Sequence, residues 1–380
     1  MLKKIYIHNF RNFVNFEIEL DNINLLMGKN GSGKTSLFEV LQKLQQLICD
    51  NKKVDELFSS TDLPRTGYAS PIQKFELQLK GNGGLYSYVV EIEHDPSRRL
   101  VRIRAEFLTW NDQPLYEFKF ETDEQGYQKG EAHLYNDART QPNGIPYPGD
   151  WTRSGVGSIH ERHDNTKLIW FKKRMDRFFI VQPNPFAMRS ECQGEESRPV
   201  FDLSNYAAWF AHLNNEERLG VRELEEELAK LFEGFKVFSL SAAGESKLLK
   251  LEFTSADKRT VAYKFSEISA GQKALIVLYT LLYCLPKTDY TLCVDEPENF
   301  LALPEIQPWL HAFYQQCEEN GGQGILISHH PQLINYLAND KGIWLSRENQ
   351  IIRARKVTQQ TDEKGLSVAD LLAMGWIYDE

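Results

Sequence analysis

Nowhere in the 380-residue chain is there the run of about eighteen apolar residues that a membrane-spanning helix needs. The N-terminus "MLKKIYIHNF" starts basic but has no apolar stretch or cleavage site, so it does not read as a signal peptide, and the cytosol is the expected compartment. Cysteine is sparse: Cys49, Cys192, Cys284, Cys293 and Cys317 are odd in number and lack CxxC spacing. That excludes a disulfide framework and a thiolate zinc site. Basic charge is also short, with 44 Lys and Arg against 53 Asp and Glu and a net charge of −9. A whole-surface nucleic-acid binder is therefore disfavoured. Two local basic clusters stay open, Arg98, Arg99, Arg102 and Arg104 in one and Lys172, Lys173, Arg174 and Arg177 in the other. An ordinary solvated face is the favoured explanation. No internal repeat and no heptads occur, which rules out a long coiled coil within this sequence.

What is present is the balance of a soluble globular protein, long enough for two or three domains or one composite domain. The first 27 residues alternate apolar and polar, predicting three short strands. "KTSLFEVLQKLQQLI" repeats with helical period. Alternation returns over 74–110, predicting antiparallel strands. Residues 120–165 shift to Pro, Gly, Asn and Asp and read as an irregular insertion with Tyr135, Tyr147 and Trp151 to bury. Residues 203–236 are helical in pattern, and strands are expected at "KLLKLEFTS" and "VAYKFSEI". "GQKALIVLYTLLYCL" is a helix apolar nearly all round, hence buried. "TLCVDE" and "GILIS" are continuous apolar runs of the buried parallel-strand kind.

Chemistry concentrates in four places. "GKNGSGKTS", Gly28 to Ser36, meets the GxxxxGK[ST] pattern between an apolar strand and a helix. Its glycines let backbone N–H groups close on phosphate, and the helix start adds a partial positive charge. Gly28, Asn30, Gly31, Ser32, Gly33, Lys34, Thr35 and Ser36 form this candidate loop; Lys34 would reach the β- and γ-phosphates and Thr35 would hold Mg²⁺. "TLCVDEPENF" ends an apolar strand in Asp295, placed to hold Mg²⁺, and Glu296, placed to activate water. In "SEISAGQKAL", Ser269, Gly271 and Gln272 open the buried helix and offer a second anion site; an N-capped helix explains Ser269 as well. "GILISHHPQLI" ends another strand in His329 and His330, where a histidine can report a γ-phosphate, although such a pair is commonly just a polar turn.

The order of these motifs resembles the ABC-type ATPases of the SMC/RecF/OLD group. "GKNGSGKT" resembles their Walker A loop, "ISAGQ" the LSGGQ signature, "LCVDEP" the Walker B strand and "SHHP" the switch-histidine loop. "IYIHNFRNFVNFEIEL" resembles the opening of the RecF-like branch, which implies that Arg11 is led toward the nucleotide. "FFIVQPNPF" sits where the Q-loop is expected, which implies Gln182 as a sensor of Mg²⁺ and γ-phosphate. The resemblance covers residues 1–115 and 170–345, and two segments look like a bacterial subfamily of stand-alone ATPases linked to phage defence. There are departures: Ala302 stands where transporter ATPases carry an aspartate, with Asn299 as a replacement contact, and Ala270 takes a signature glycine position. The zinc hook, the long arms and the carboxylate clusters of a TOPRIM nuclease are missing from this sequence.

The expected architecture is an α/β P-loop NTPase of ABC type, with a mixed central sheet, an antiparallel β subdomain, a helical lobe and an irregular insertion. The expected divisions are 1–119 for the first half of the ATPase domain, 120–165 for the insertion, 166–260 for the Q-loop region and helical lobe, 261–345 for the second half, and 346–380 for an amphipathic C-terminal cap. The resemblance implies an ATP hydrolase using ATP and Mg²⁺. Two copies would pair head to head on ATP, with Lys34, Glu296 and His329 as the catalytic set and Ser269, Gly271 and Gln272 completing the partner's site. The client would be a separate effector, a nuclease or toxin, in anti-phage defence, with no membrane involved. The alternative is a RecF-like DNA-repair or DNA-structure-sensing ATPase, for which DNA is the partner and the basic clusters are the interface. A transporter-coupled ATPase and a small-molecule P-loop kinase rank below both.

Overall fold

The computed structural model describes residues 1–64, 71–95, 100–122, 128–255, 257–319 and 321–357. The tail read as an amphipathic cap, from residue 358 on, lies outside the described residues, as do Arg98 and Arg99 of the first basic cluster. The chain divides into two compact units, one of Met1–Phe178 with Ile334–Glu380, the other of Phe179–Leu333.

The first unit opens with β1 (Leu2–His8), β2 (Phe16–Glu19) and β3 (Ile23–Met27), followed by α1 (Lys34–Cys49) and the short α2 (Val54–Leu57). Then come β4 (Ile72–Gly81), β5 (Gly84–Asp95), β6 (Leu100–Trp110), β7 (Gln113–Thr122), β8 (Gln128–Leu134) and β9 (Ile145–Pro148), and two helices, α3 (Gly155–Ser158) and α4 (Thr166–Asp176). An antiparallel sheet runs in the order β2-β1-β4-β5-β6-β7-β8-β9. Phe75, Leu77 and Leu79 of β4 and Tyr86, Tyr88, Val90 and Ile92 of β5 all turn inward, the period-two pattern of a sheet with one packed face. Trp170 of α4 stacks on Tyr86 at 4.9 Å and Phe171 packs on Tyr88 at 5.5 Å, closing the helix onto that face. The stretch 120–165 supplies β8 and β9 as the last two strands of this sheet, and much of the remainder is turn.

The helix α1 buries Leu37, Val40, Leu41, Leu44, Leu47 and Ile48, each worth about 1.5–3 kcal/mol where a leucine-sized side chain leaves water. Gln45 on the same face donates to the carbonyls of Met175 (2.9 Å) and Phe178 (2.8 Å), tying α1 to the end of α4.

The second unit carries β10 (Phe178–Val181), β11 (Glu191–Cys192), α5 (Tyr206–Glu216), α6 (Arg218–Leu231), β12 (Phe235–Ala243), β13 (Ser246–Thr254), β14 (Thr260–Lys264), α7 (Ala270–Tyr283), β15 (Thr291–Asp295), α8 (Leu303–Glu319) and β16 (Gln323–Ile327). β15 and β16 are parallel and wholly buried, which is why their sequences lack alternation. The helix α7 is buried from Lys273 through Leu282, and Trp309 of α8 donates its indole N–H to the Leu278 carbonyl at 2.8 Å.

The helix α9 (Pro331–Lys341) leads back to the first unit, which ends in β17 (Gly342–Glu348) and β18 (Ile351–Lys356). β17 lies parallel to β3, pairing Trp344 with Met27, and antiparallel to β18. Among the described residues no helix is long and apolar enough to cross a membrane.

Candidate nucleotide site

In the first unit the loop between β3 and α1 is bent by three glycines at positive φ, Gly28 (148°), Gly31 (80°) and Gly33 (96°), a region that side chains disfavour. Gly28 is also pressed against β17: a Cβ there would stand 2.3 Å from the Leu345 carbonyl oxygen. At Gly33 a Cβ would stand 2.3 Å from Cδ1 of Ile352, on β18. The bend is thus moulded from outside by the last two strands. Within it, the buried Lys34 ammonium donates to the carbonyls of Gly28 (2.7 Å) and Lys29 (3.2 Å), which aims it along the inside of the loop. Asn30, Gly31 and Thr35 are exposed and Ser32 is buried. The helix α1 starts with no side-chain cap and no acidic residue in its first turn, so its leading N–H groups and partial positive charge suit an anion.

Arg11 sits at φ 51° in the tight turn Phe10–Phe13. It donates to Ser36 Oγ at 3.2 Å and pairs with Glu39 at 2.7 Å and Asp62 at 3.6 Å. The turn therefore brings Arg11 to the residue after Thr35, while two carboxylates hold its guanidinium.

In the second unit the β15–β16 register sets Asp295 beside Ile327. Asp295 is buried, and the next residue, Glu296, turns at φ 52° with its N–H donating to the Ile327 carbonyl at 2.8 Å. Asn299 donates to the Glu296 carboxylate at 2.7 Å. Glu298 accepts from Ser328 Oγ at 2.6 Å and from the His329 N–H at 3.3 Å, and Ser328 Oγ accepts from the His330 N–H at 3.0 Å. The acidic turn and the histidine loop are thus one hydrogen-bonded group. Ser269 caps α7: its Oγ accepts from the Gln272 N–H at 3.1 Å while the Gln272 side chain accepts from the Ser269 N–H at 3.1 Å. The helix-cap explanation of Ser269 and Gln272 therefore holds in this structure. Gly271 packs near the Phe300 carbonyl, where a Cβ would be 3.1 Å away. Gln182 is half-buried, its N–H bound to the Phe201 carbonyl at 2.6 Å.

Sequence reasoning passed over two of these groups, Glu298 and Lys273, and named a third, Asn299, for a different contact. Asn299, expected as a replacement for a trans contact, holds Glu296 within its own turn. Glu298 carried no signal beyond an acid in an acidic stretch. Lys273 was not singled out; its ammonium lies near the carbonyls of Ser266 (3.3 Å) and Pro185 (3.4 Å), and burial pushes its pKa down.

Each basic cluster is split among the described residues: Arg104, Lys173 and Arg177 are exposed, while Arg102, Lys172 and Arg174 turn into the fold. Arg102 is buried, paired with Glu93 at 2.8 Å and laid over the Phe120 ring at 4.1 Å. Arg174 is buried over the Phe178 ring, and Lys172 donates to the carbonyls of Gly157 (2.6 Å) and Ile159 (2.7 Å). Their charges serve the fold.

This fold, with its phosphate-loop bend and its acid-ended parallel strand, is the fold of an ABC-type ATPase head. The chain belongs to the family described as "AAA domain, putative AbiEii toxin, Type IV TA system", whose model matches residues 23–335. It is similar to the DNA replication and repair protein RecF of Rickettsia typhi, with 27% identity over 119 residues, which is 29% of this chain and 31% of that protein's length. Among solved structures, an Smc head bound to the C-terminal winged-helix domain of ScpA aligns at a TM-score of 0.51 and 13% identity, over 96% of this chain and 99% of the other. The SMC head domain from Thermotoga maritima aligns at 0.46 and 15% identity, over 94% and 99%.

Proposed function

We propose that the protein hydrolyses ATP as a two-copy switch, closing head to head on the nucleotide and controlling a separate effector in a toxin or anti-phage system. The observation that carries this reading is the loop at Gly28 to Thr35, where three positive-φ glycines, the inward Lys34 ammonium and an uncapped helix start converge. The family's description, which names a toxin of a toxin–antitoxin system, favours the effector class.

In this reading Gly28 to Ser36 wrap the phosphates, with Lys34 on the β- and γ-oxygens. Arg11, already bound to Ser36, lies beside them. Thr35, Asp295 and Gln182 would hold Mg²⁺, which supplies charge neutralisation at the phosphates; one or two protein oxygens suffice for that ion. Glu296, oriented by Asn299, accepts the proton of the attacking water, and His329 hydrogen-bonds the γ-phosphate. Ser269 and Gly271 present the start of α7 to the nucleotide of the second copy. Phosphoryl transfer asks for positioning and charge compensation, and these groups provide both.

The test is the molar mass in solution of Glu296→Gln, with and without MgATP. A twofold rise with MgATP that Ser269→Arg abolishes supports the composite site. A stable dimer without nucleotide, or a monomer throughout, refutes ATP-driven pairing. The similarity to RecF favours DNA as a second reading; salt-sensitive DNA binding that depends on exposed Arg104 and Arg177 would support it.

A further inference from the structure

We infer that Glu298 is a positioning residue of the hydrolysis site, fixing the backbone that carries His329 relative to the turn that carries Glu296. The inference rests on the ATPase reading above and assigns one more residue to it.

The chemistry starts in the sequence "DEPEN". The backbone takes a positive φ at Glu296, just after β15, and Pro297 stiffens the step that follows. Two carboxylates then take different partners. Glu296 is held by Asn299 on its own turn. Glu298 instead accepts from Ser328 Oγ and the His329 N–H, at the end of the neighbouring strand β16. Ser328 is itself buried and passes the restraint on, accepting from the His330 N–H. Three consecutive residues, 328 to 330, are thereby referred to one side chain of the acidic turn.

The second oxygen of Glu298, Oε2, is buried with no hydrogen-bond partner among the described residues. A buried acceptor in that condition is a cost to the fold, borne while the other oxygen keeps both donors. Such costs persist where a site needs them. Here the need is geometric: a histidine that reads the γ-phosphate has to sit at a fixed height above the water-activating acid, and both now hang from one turn.

The experiment compares steady-state ATP hydrolysis by Glu298→Ala, Glu298→Gln, His329→Ala and Glu298→Ala/His329→Ala. Loss of positioning lowers kcat roughly 10- to 100-fold with little change in KM for ATP. Glu298→Gln keeps the acceptor oxygen and should recover most of the rate. The double variant should be no slower than His329→Ala, since the two act through one group. A full additional loss on the His329→Ala background, or a glutamine variant as poor as alanine, overturns the inference. If Glu298→Ala does not fold, Ser328→Ala, which removes the other half of the bond, must give the same kcat loss. Amide exchange at 328–330 is read in parallel and needs no turnover: it should accelerate in Glu298→Ala, and unchanged exchange overturns the inference. A wild-type chain that binds ATP and never hydrolyses it defeats the hydrolysis reading instead, visibly and separately.

Discussion

Replacing Gly33 by alanine should damage the phosphate loop for two separable reasons, and one second substitution should repair only one of them. Gly33 has φ 96°, so an L side chain there costs about 1–2 kcal/mol in backbone strain. Its new Cβ would also lie 2.3 Å from Ile352 Cδ1 and 3.1 Å from Phe13 Cζ, while Ile352 Cγ1 is at 3.4 Å. Overpacking of this kind costs about 1–3 kcal/mol. Ile352→Val deletes the one atom in severe conflict and by itself costs about 0.5–1.5 kcal/mol. The single variants should therefore sum to more than the double: Gly33→Ala/Ile352→Val should lie about 1–2 kcal/mol above additivity. Urea unfolding followed by circular dichroism measures this coupling, and exchange of the amides from Phe13 to Leu37 localises it. Simple additivity would refute the claim that β18 moulds the loop.

Two other outcomes follow from groups already described. Glu106 is fully buried, accepting from Tyr88 Oη at 2.8 Å, Ser154 Oγ and the Gly155 N–H at 2.7 Å, and burial pushes its pKa above 4.5 against those donors. A raised carboxyl pKa contributes stability that is complete below the unfolded value and is lost as pH rises through the folded one. Relative to wild type, Glu106→Gln should therefore gain thermal stability as pH rises from below 4.5 toward neutral; a Tm difference that does not change with pH would contradict it. Asn299→Ala should release the Glu296 carboxylate and lower kcat roughly tenfold with KM for ATP nearly constant; a change confined to KM would assign Asn299 to nucleotide binding instead.

The phosphate loop was legible because its chemistry is local: glycines, a lysine and the flanking strand and helix lie within one short stretch. The buried strands β15 and β16 were equally plain, as continuous apolar runs. The fates of the arginines were not. Along β6 strict alternation would place Arg102 and Arg104 on the same face. The β5–β6 register pairs Glu91 with Ala105 but Ile92 with Ile103, leaving Arg104 as an extra, exposed residue. That bulge shifts the parity and turns Arg102 inward. The strand β9, "IPYP", was hidden by its prolines, which are tolerated because it is the last strand of its sheet. The link from Glu298 to Ser328 joins residues far apart in sequence, and nothing in either stretch announces the other.

The dependence of the loop on Leu345 and Ile352 also orders events in time. A ribosome releases Gly28 to Thr35 long before the strands that shape them. Until β17 and β18 emerge, the bend lacks the carbonyl and the methyl against which it is pressed, and closing that contact spans nearly the whole chain. The nascent chain should therefore lack a formed phosphate loop until those strands emerge. A copy that ends before β17 would carry every residue of the loop without the surface that gives it shape.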